Sequence, residues 1–127
     1  MASIIDIEGI GEGFAGKFRE IGIRTTEALL EKGATPKGRL ELAKTVDVNT
    51  KKILEWVNRA DLYRIDGIGS QYSDLLEAAG VDTVVELGTR KAESLLETLI
   101  TVNVKKNKVN KMPGLAQVTG WIKTAKS

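Results

Sequence analysis

The sequence predicts an all-α fold built from two copies of one small unit. Ile7-Glu8-Gly9-Ile10-Gly11 returns as Ile65-Asp66-Gly67-Ile68-Gly69, and the downstream pair Gly22-Ile23 returns as Gly80-Val81, both at an offset of 58 residues. A repeat of this period means two copies of one supersecondary unit. Apolar residues recur at three-to-four spacing almost throughout, and no period-two run is long enough to build a sheet. At 127 residues and 42% hydrophobic content the chain holds one ordinary domain or two small ones packed together. The expected boundaries are 1–60 and 61–127, with the two repeats packed pseudo-symmetrically.

In the first repeat Glu12 to Glu20 reads as a helix, with Phe14, Ala15 and Phe18 on one face and Gly22 at its C′ position. Thr25 or Thr26 caps a short helix over Glu27-Ala28-Leu29-Leu30, which Gly33 stops. Thr35-Pro36 opens another, because Thr is a good N-cap and Pro suits the first helical position; Leu40, Leu42 and Ala43 would line its inner face. Val46-Asp47-Val48 reads as a glycine-free turn, after which Asn49 caps a helix carrying Ile53, Trp56, Val57 and Ala60. No Gly, Pro or Ser run follows, so this helix is expected to run nearly straight into the second repeat. There Gly69 opens a helix with Tyr72, Leu75, Leu76 and Ala79 inside, ended by Gly80. Asp82 or Thr83 caps a helix with Val84, Val85 and Leu87 inside. A longer helix buries Ala92, Leu95, Leu96, Leu99 and Ile100. The last, about Leu115 to Ala125, carries Val118, Trp121 and Ile122. Trp56 and Trp121 are 65 residues apart, so seven residues are inserted near 104–113, a stretch holding Lys105, Lys106, Lys108 and Lys111.

Composition narrows the chemistry. There is no Cys, hence no disulfide, thiolate metal site or cysteine nucleophile. There is no His, which removes the commonest general base near neutral pH and the commonest zinc ligand. Asp66, Asp74 and Glu77 lack an Asp-x-Asp pair or an EF-hand spacing, so no metal site is expected. A non-enzymatic protein follows as the expectation. No apolar run approaches about 18 residues, and the first residues carry neither a basic n-region nor a long apolar stretch, so a membrane span and a signal peptide are not expected and a cytoplasmic setting is.

The net charge of +2 is unevenly spread. Residues 1–60 hold 10 Lys and Arg against 9 Asp and Glu, residues 61–104 hold 3 against 8, and residues 105–127 hold 6 Lys and no acid. A basic end of this kind meets phosphate or neutralises its own acidic neighbour. The Gly-apolar-Gly turn adds a second anion-directed feature. It opens a helix, so free backbone N–H groups and the positive end of the helix dipole converge on one spot suited to a phosphate.

Ile-x-Gly-Ile-Gly followed by Ala15 or Ser73, and then by Phe18 or Leu76, resembles the helix-hairpin-helix motif. With Gly22-Ile23-x-x-x-Glu27-x-Leu29 and Gly80-Val81-x-x-x-Val85-x-Leu87, the pattern is similar to the paired-hairpin, five-helix, SAM-like domains of DNA ligases, to recombinase N-terminal domains and to the C-terminal domain of RNA polymerase α. Nearly the whole chain resembles a family of tandem helix-hairpin-helix proteins, the domain of unknown function DUF4332. The match runs through Trp56 to Gly69, Tyr72 to Val84 and Trp121-Ile122-Lys123-Thr124-Ala125-Lys126. The wider motif implies DNA binding without sequence specificity: hairpin amides hold a phosphate, a nearby Lys or Arg adds charge, and some hairpins also take a monovalent cation on their carbonyls. No other cofactor is implied. On this sequence the implied first site is Gly9, Ile10, Gly11, Glu12 and Gly13 with Lys17. The implied second site is Gly67, Ile68, Gly69 and Ser70. Glu8 and Glu12 put negative charge beside the first, while Leu75 stands in the place of Lys17 in the second, with Asp66 and Asp74 nearby.

Each feature has a plainer structural reading. The glycines serve as turn formers, and Lys105, Lys106, Lys108 and Lys111 serve as a solvated loop over the acidic second repeat or as a phosphate-tracking patch aided by Asn107 and Asn110. Trp56 and Trp121 sit within apolar faces and read as core. Two functions therefore stand side by side: a backbone-reading DNA-binding module, and a protein-interaction scaffold whose hairpins are structural. Little helix precedes the first hairpin, so cover from a second copy makes a homodimer an alternative to a monomer.

Overall fold

The structure, a computed structural model, describes residues 2–127; Met1, the expected start of the first repeat, lies outside them. It is all-α. The helices are α1 (Glu12–Glu20), α2 (Thr26–Lys32), α3 (Pro36–Val46), α4 (Thr50–Leu62), α5 (Ser70–Ala78), α6 (Val84–Gly88), α7 (Ala92–Lys106) and α8 (Leu115–Lys126), with a short 3-10 turn at Ile4–Asp6. Among the described residues there is no strand, only one isolated bridge between Ser3 and Thr25. The chain divides into two compact units, Met1–Tyr63 and Arg64–Ser127. No helix of the described residues is long and apolar enough to cross a membrane.

In the first unit, α4 packs on α2 and α3, and α1 packs on α3. The local signals act as their chemistry requires. The side chains of Thr25, Thr35 and Asn49 accept from the amides of Ala28, Gly38 and Lys52, each an N-cap worth about 1 kcal/mol. At the end of α1, Gly22 takes φ 85°, its amide donates to Arg19 O and the amide of Ile23 to Phe18 O, the double bond of a Schellman cap. Asp47 supplies the glycine-free turn with a left-handed φ of 60°. The core is aliphatic around one indole: Ile4, Ile7, Phe18, Leu29, Leu42, Ile53 and Trp56 are all but fully buried.

Residues 2–6 fill the space in front of the first glycine turn. The Ile4 amide donates to Arg24 O and the Thr26 amide to Ala2 O, the Tyr63 hydroxyl donates to Asp6 O at 2.6 Å, and Ile4 has no exposed surface. Residues 2–6 thus supply cover within the first unit.

In the second unit, α6 and α7 pack on α8, and α5 packs on α7. Ile65, Ile68, Leu75, Leu76, Val81, Leu87, Leu95, Leu99, Val118 and Trp121 form its buried set. Thr83 caps α6, and Gly80 (φ 92°) closes α5 with amide bonds from Gly80 to Glu77 O and from Val81 to Leu76 O. These match the bonds at Gly22.

Several expectations fail locally. Leu40, Val85 and Ile100 are exposed by 49%, 80% and 47%. Val85 and Ile100 follow buried Val84 and Leu99, about 100° further round their helices, and Leu40 lies opposite the stripe Gly38-Leu42-Val46. Helix α4 stops at Leu62 and the chain turns over Tyr63 and Arg64. The insert is partly helical, because α7 has 15 residues where α3 has 11 and so carries Lys105 and Lys106 in its last turn. After left-handed Asn107, six residues (108–113) precede the α8 N-cap Gly114, where Val48 alone separates Asp47 from Asn49.

Candidate nucleic-acid interface

Each unit holds a glycine turn at the entrance of a helix. In the first, the Ile10 amide donates to Ile7 O at 3.0 Å and Gly9 sits at φ 93°, a left-handed value that a side chain strains. A Cβ added at Gly9 would lie 3.1 Å from Trp56 Nε1. In the second, the Ile68 amide donates to Ile65 O at 3.1 Å, Gly67 has φ 91°, and its Cβ would lie 3.2 Å from Trp121 Nε1. Both indoles are held from the other side by an aromatic ring of the turn's own helix. Phe14 lies 5.1 Å from Trp56 and Tyr72 lies 5.2 Å from Trp121, at 58° and 57°. Gly9 and Gly67 are thus required by backbone conformation and by packing, as the structural reading of the turn holds. Ile10 and Ile68, buried with 3% and 4% exposure, plug the turns into their cores.

Gly11 and Gly69 differ. As N-caps of α1 and α5 they have extended backbones with negative φ, and a Cβ on either would meet nothing within 4 Å. Packing does not require glycine there, although glycine is well suited to an N-cap. No side chain caps α1, and among the described residues the amides of Gly11, Glu12 and Gly13 make no hydrogen bond, the first helical bond being Ala15 N–H to Gly11 O. Gly13 and Gly16 on α1 also face open space. Each costs roughly 0.5–1 kcal/mol relative to Ala in a helix interior. At the second turn the matching positions are Gln71 and Asp74. There the Ser73 hydroxyl donates to Ser70 O, so Ser70 serves the start of α5.

Charge separates the turns further. Beside the first, the Lys52 ammonium approaches to 4.0 Å of the Gly9 Cβ position and lies 5.9 Å from the Trp56 ring centroid, with Glu55 Oε2 at 3.4 Å. Lys17 stands 5.7 Å from the Phe14 ring centroid and donates to Val46 O at the end of α3, so it also caps that helix. Glu12 is exposed and pairs with Arg19 at 3.5 Å, which offsets the negative charge expected beside the amides. At the second turn, Asp66 and Gly67 join Ala116, Gln117, Gly120, Trp121 and Thr124 around an open depression of about 310 Å³ without a cation. Ala116 and Gln117 take the places of Lys51 and Lys52 when α8 is aligned to α4 on the tryptophans.

The lysines of the insert are not one patch. Lys105 and Lys106 end α7, Lys108 pairs with Asp74 of α5 at 3.3 Å, and Lys111 O accepts from the Tyr72 hydroxyl. Asn103 fixes the loop by bonding both the amide and the carbonyl of Val109 at 3.0 Å, and Val109 is buried. Lys108 and the Lys111 carbonyl are thus tied to α5, while the side chains of Lys105, Lys106 and Lys111 are exposed. Sequence reasoning missed Lys52, whose only signal is its place four residues before Trp56, informative once that indole is known to lie under Gly9. Among the described residues no group of acidic side chains is placed to hold a metal.

These features define an all-α protein of two units, each with a glycine turn braced by a tryptophan. The chain belongs to the family described as Domain of unknown function (DUF4332), whose model matches residues 8–127. No curated protein and no solved structure matches it.

Proposed function

We propose that each unit is a helix-hairpin-helix repeat and that the first unit binds the sugar-phosphate backbone of DNA without reading sequence, as a non-enzymatic module of the cytoplasm. The observation that carries this is the bare amide face of α1. Gly13 and Gly16 lack side chains where neither φ nor packing demands it and where the second unit has Gln71 and Asp74, and the uncapped amides of Gly11, Glu12 and Gly13 have no partner among the described residues. Close approach of a phosphate oxygen to backbone N–H groups explains such glycines; a purely structural turn explains only Gly9. Lys17 and Lys52 supply the flanking charge, each held near an aromatic ring with donor capacity to spare. The second hairpin, with Asp66, Gln71 and Asp74, serves as scaffold, and Lys108 neutralises Asp74 in place of meeting DNA.

The protein-interaction reading keeps one observation of its own. Ile100 and Val104, one turn apart on α7, are exposed by 47% and 81%.

The test is fluorescence anisotropy of labelled duplex and single-stranded DNA. With two lysines on phosphates the duplex log–log salt slope is about −1.8, so affinity falls roughly tenfold between about 50 and 200 mM salt. Lys52→Glu is expected to abolish most of the binding and Gln117→Glu to leave it unchanged. Absence of binding at high micromolar protein in low salt would sink the proposal and turn the search to a protein partner for α7.

A further inference from the structure

A group of basic residues in the second unit lines a pocket that holds no residue of that unit's glycine turn. In the second unit Arg90, Lys91, Lys123 and Lys126 line one open pocket of about 430 Å³, with Ala92, Thr119 and Ile122 completing its wall. Two of these basic residues precede α7 and two lie on α8, in a unit whose residues 64–104 otherwise hold one Arg against seven Asp and Glu. Arg90 is anchored, with Glu86 Oε1 3.0 Å from its guanidinium and Gly80 O accepting from Nη2 at 3.3 Å. The Lys126 stem lies against Gly88, 3.6 Å from where a Cβ would stand. Lys91, Lys123 and Lys126 make no ion pair among the described residues. Glu86 offsets the charge of Arg90, and Glu93, in the first turn of α7, is exposed. The surplus is three ammonium groups.

Such crowding is unfavourable unless something neutralises it. Lys91 sharpens the point. It is the N-cap of α7, a cation at the positive end of a helix dipole, and no side chain caps the first-turn amides. The helix end alone would mean little; the pocket and its cations are what select an anion. The matching positions of the first unit lack these lysines. The N-cap of α3 is Thr35, and the places of Lys123 and Lys126 hold Asn58 and Asp61.

We infer that this pocket binds a phosphate-bearing anion of about diphosphate size and charge. A volume of about 430 Å³ lies within the range of small-molecule sites, about 300–1,000 Å³, and exceeds the need of one phosphate. Compact ammonium groups suit oxygens approached from several directions, and Arg90, oriented by Glu86, supplies a planar donor. Ile122 and Ala92 give an apolar floor beside the charge. The same chemistry comes from two sources, a free diphosphate such as that of a nucleotide, or successive phosphates of a nucleic-acid strand. The inference does not rest on the function proposed for the first unit.

Amide NMR of the whole protein, titrated with inorganic pyrophosphate and separately with a short oligothymidylate, tests it. Shifts are expected at Lys91, Ala92, Glu93, Ser94 and Lys123. Lys91→Gln combined with Lys123→Gln should weaken the site about tenfold or more, and Lys44→Gln should not touch it. Saturation by pyrophosphate assigns the free diphosphate, and saturation by the oligonucleotide alone assigns the strand; both support the site. Lack of shifts with either probe, or shifts indifferent to the double variant while its helical circular dichroism is unchanged, would overturn it. Loss of DNA binding on Lys52→Glu leaves these shifts in place, so the two readings fail separately.

Discussion

In the first unit the glycine turn is flanked by Lys17 and Lys52; in the second the corresponding positions hold Leu75 and Gln117. At the other site the order reverses: Lys91, Lys123 and Lys126 crowd a pocket of the second unit where the first has Thr35, Asn58 and Asp61. Beneath these differences lies one skeleton, with φ of 93° and 91° at the turn glycine and an indole 3.1 or 3.2 Å from its missing Cβ. The skeleton depends on buried groups that tolerate little change, whereas the charges lie at the surface, where substitution costs little stability. Turn geometry and surface charge can therefore differ independently between the two units.

The comparison breaks most readily at the tryptophans. Trp56 touches the rings of both Phe14 and Phe18, while Trp121 has Tyr72 alone. Trp56→Ala is expected to cost about 3–5 kcal/mol, with Trp121→Ala costing less, as read by urea denaturation. Next comes Gly38. A Cβ there would fall 2.0 Å from Lys32 O, a backbone atom, so Gly38→Ala should destabilise the first unit by about 1–3 kcal/mol. Ser94→Ala, at the same step after the N-cap of α7 and exposed, should change stability little; equal midpoints for the two variants would refute the packing account.

Smaller effects separate binding from folding. Gly11→Val and Gly69→Val each place a poor N-cap and should cost a similar, small stability of about 0.5–1 kcal/mol, but only Gly11→Val should lower DNA affinity about tenfold, roughly 1.4 kcal/mol. Gly16→Ala should raise stability by about 0.5–1 kcal/mol, since nothing lies near its Cβ, and weaken DNA binding together with that gain. A stabilised variant that binds DNA as well as the parent would remove Gly16 from the interface. The smallest effect concerns pH. The hydrogen bond and charge of Lys32 hold the Glu41 carboxyl below its ordinary value. A depressed folded-state value means a stability contribution present at neutral pH and lost as pH falls through that value. On this exposed pair the contribution is slight. Lys32→Gln should return the Glu41 carbon-13 titration to the ordinary range.

Local chemistry was legible in the sequence. The caps at Thr25, Thr35, Asn49 and Thr83, the Schellman glycines Gly22 and Gly80 and the glycine-free turn at Asp47 each follow from a few neighbouring residues. What needed tertiary placement was not legible. One residue of helical phase separates Leu99 from Ile100, and periodicity in a mostly aliphatic helix does not resolve it. Lys105 and Lys106 read as loop because the extra turns of α7 are hidden within a polar stretch. Lys52 and the cations around α8 acquire meaning only when elements distant in sequence come together.

Each unit contains a single tryptophan, and that indole lies against the glycine turn of its unit, which in the first unit is the proposed phosphate site. The protein thus carries a built-in optical label for each of its halves. A phosphate arriving beside Gly9 brings a charge near the indole of Trp56, shifting or quenching its ultraviolet emission, while Trp121 reports on the other turn. Replacing Trp121 by Phe isolates the Trp56 signal, so occupancy of the first turn can be followed by light without an added dye.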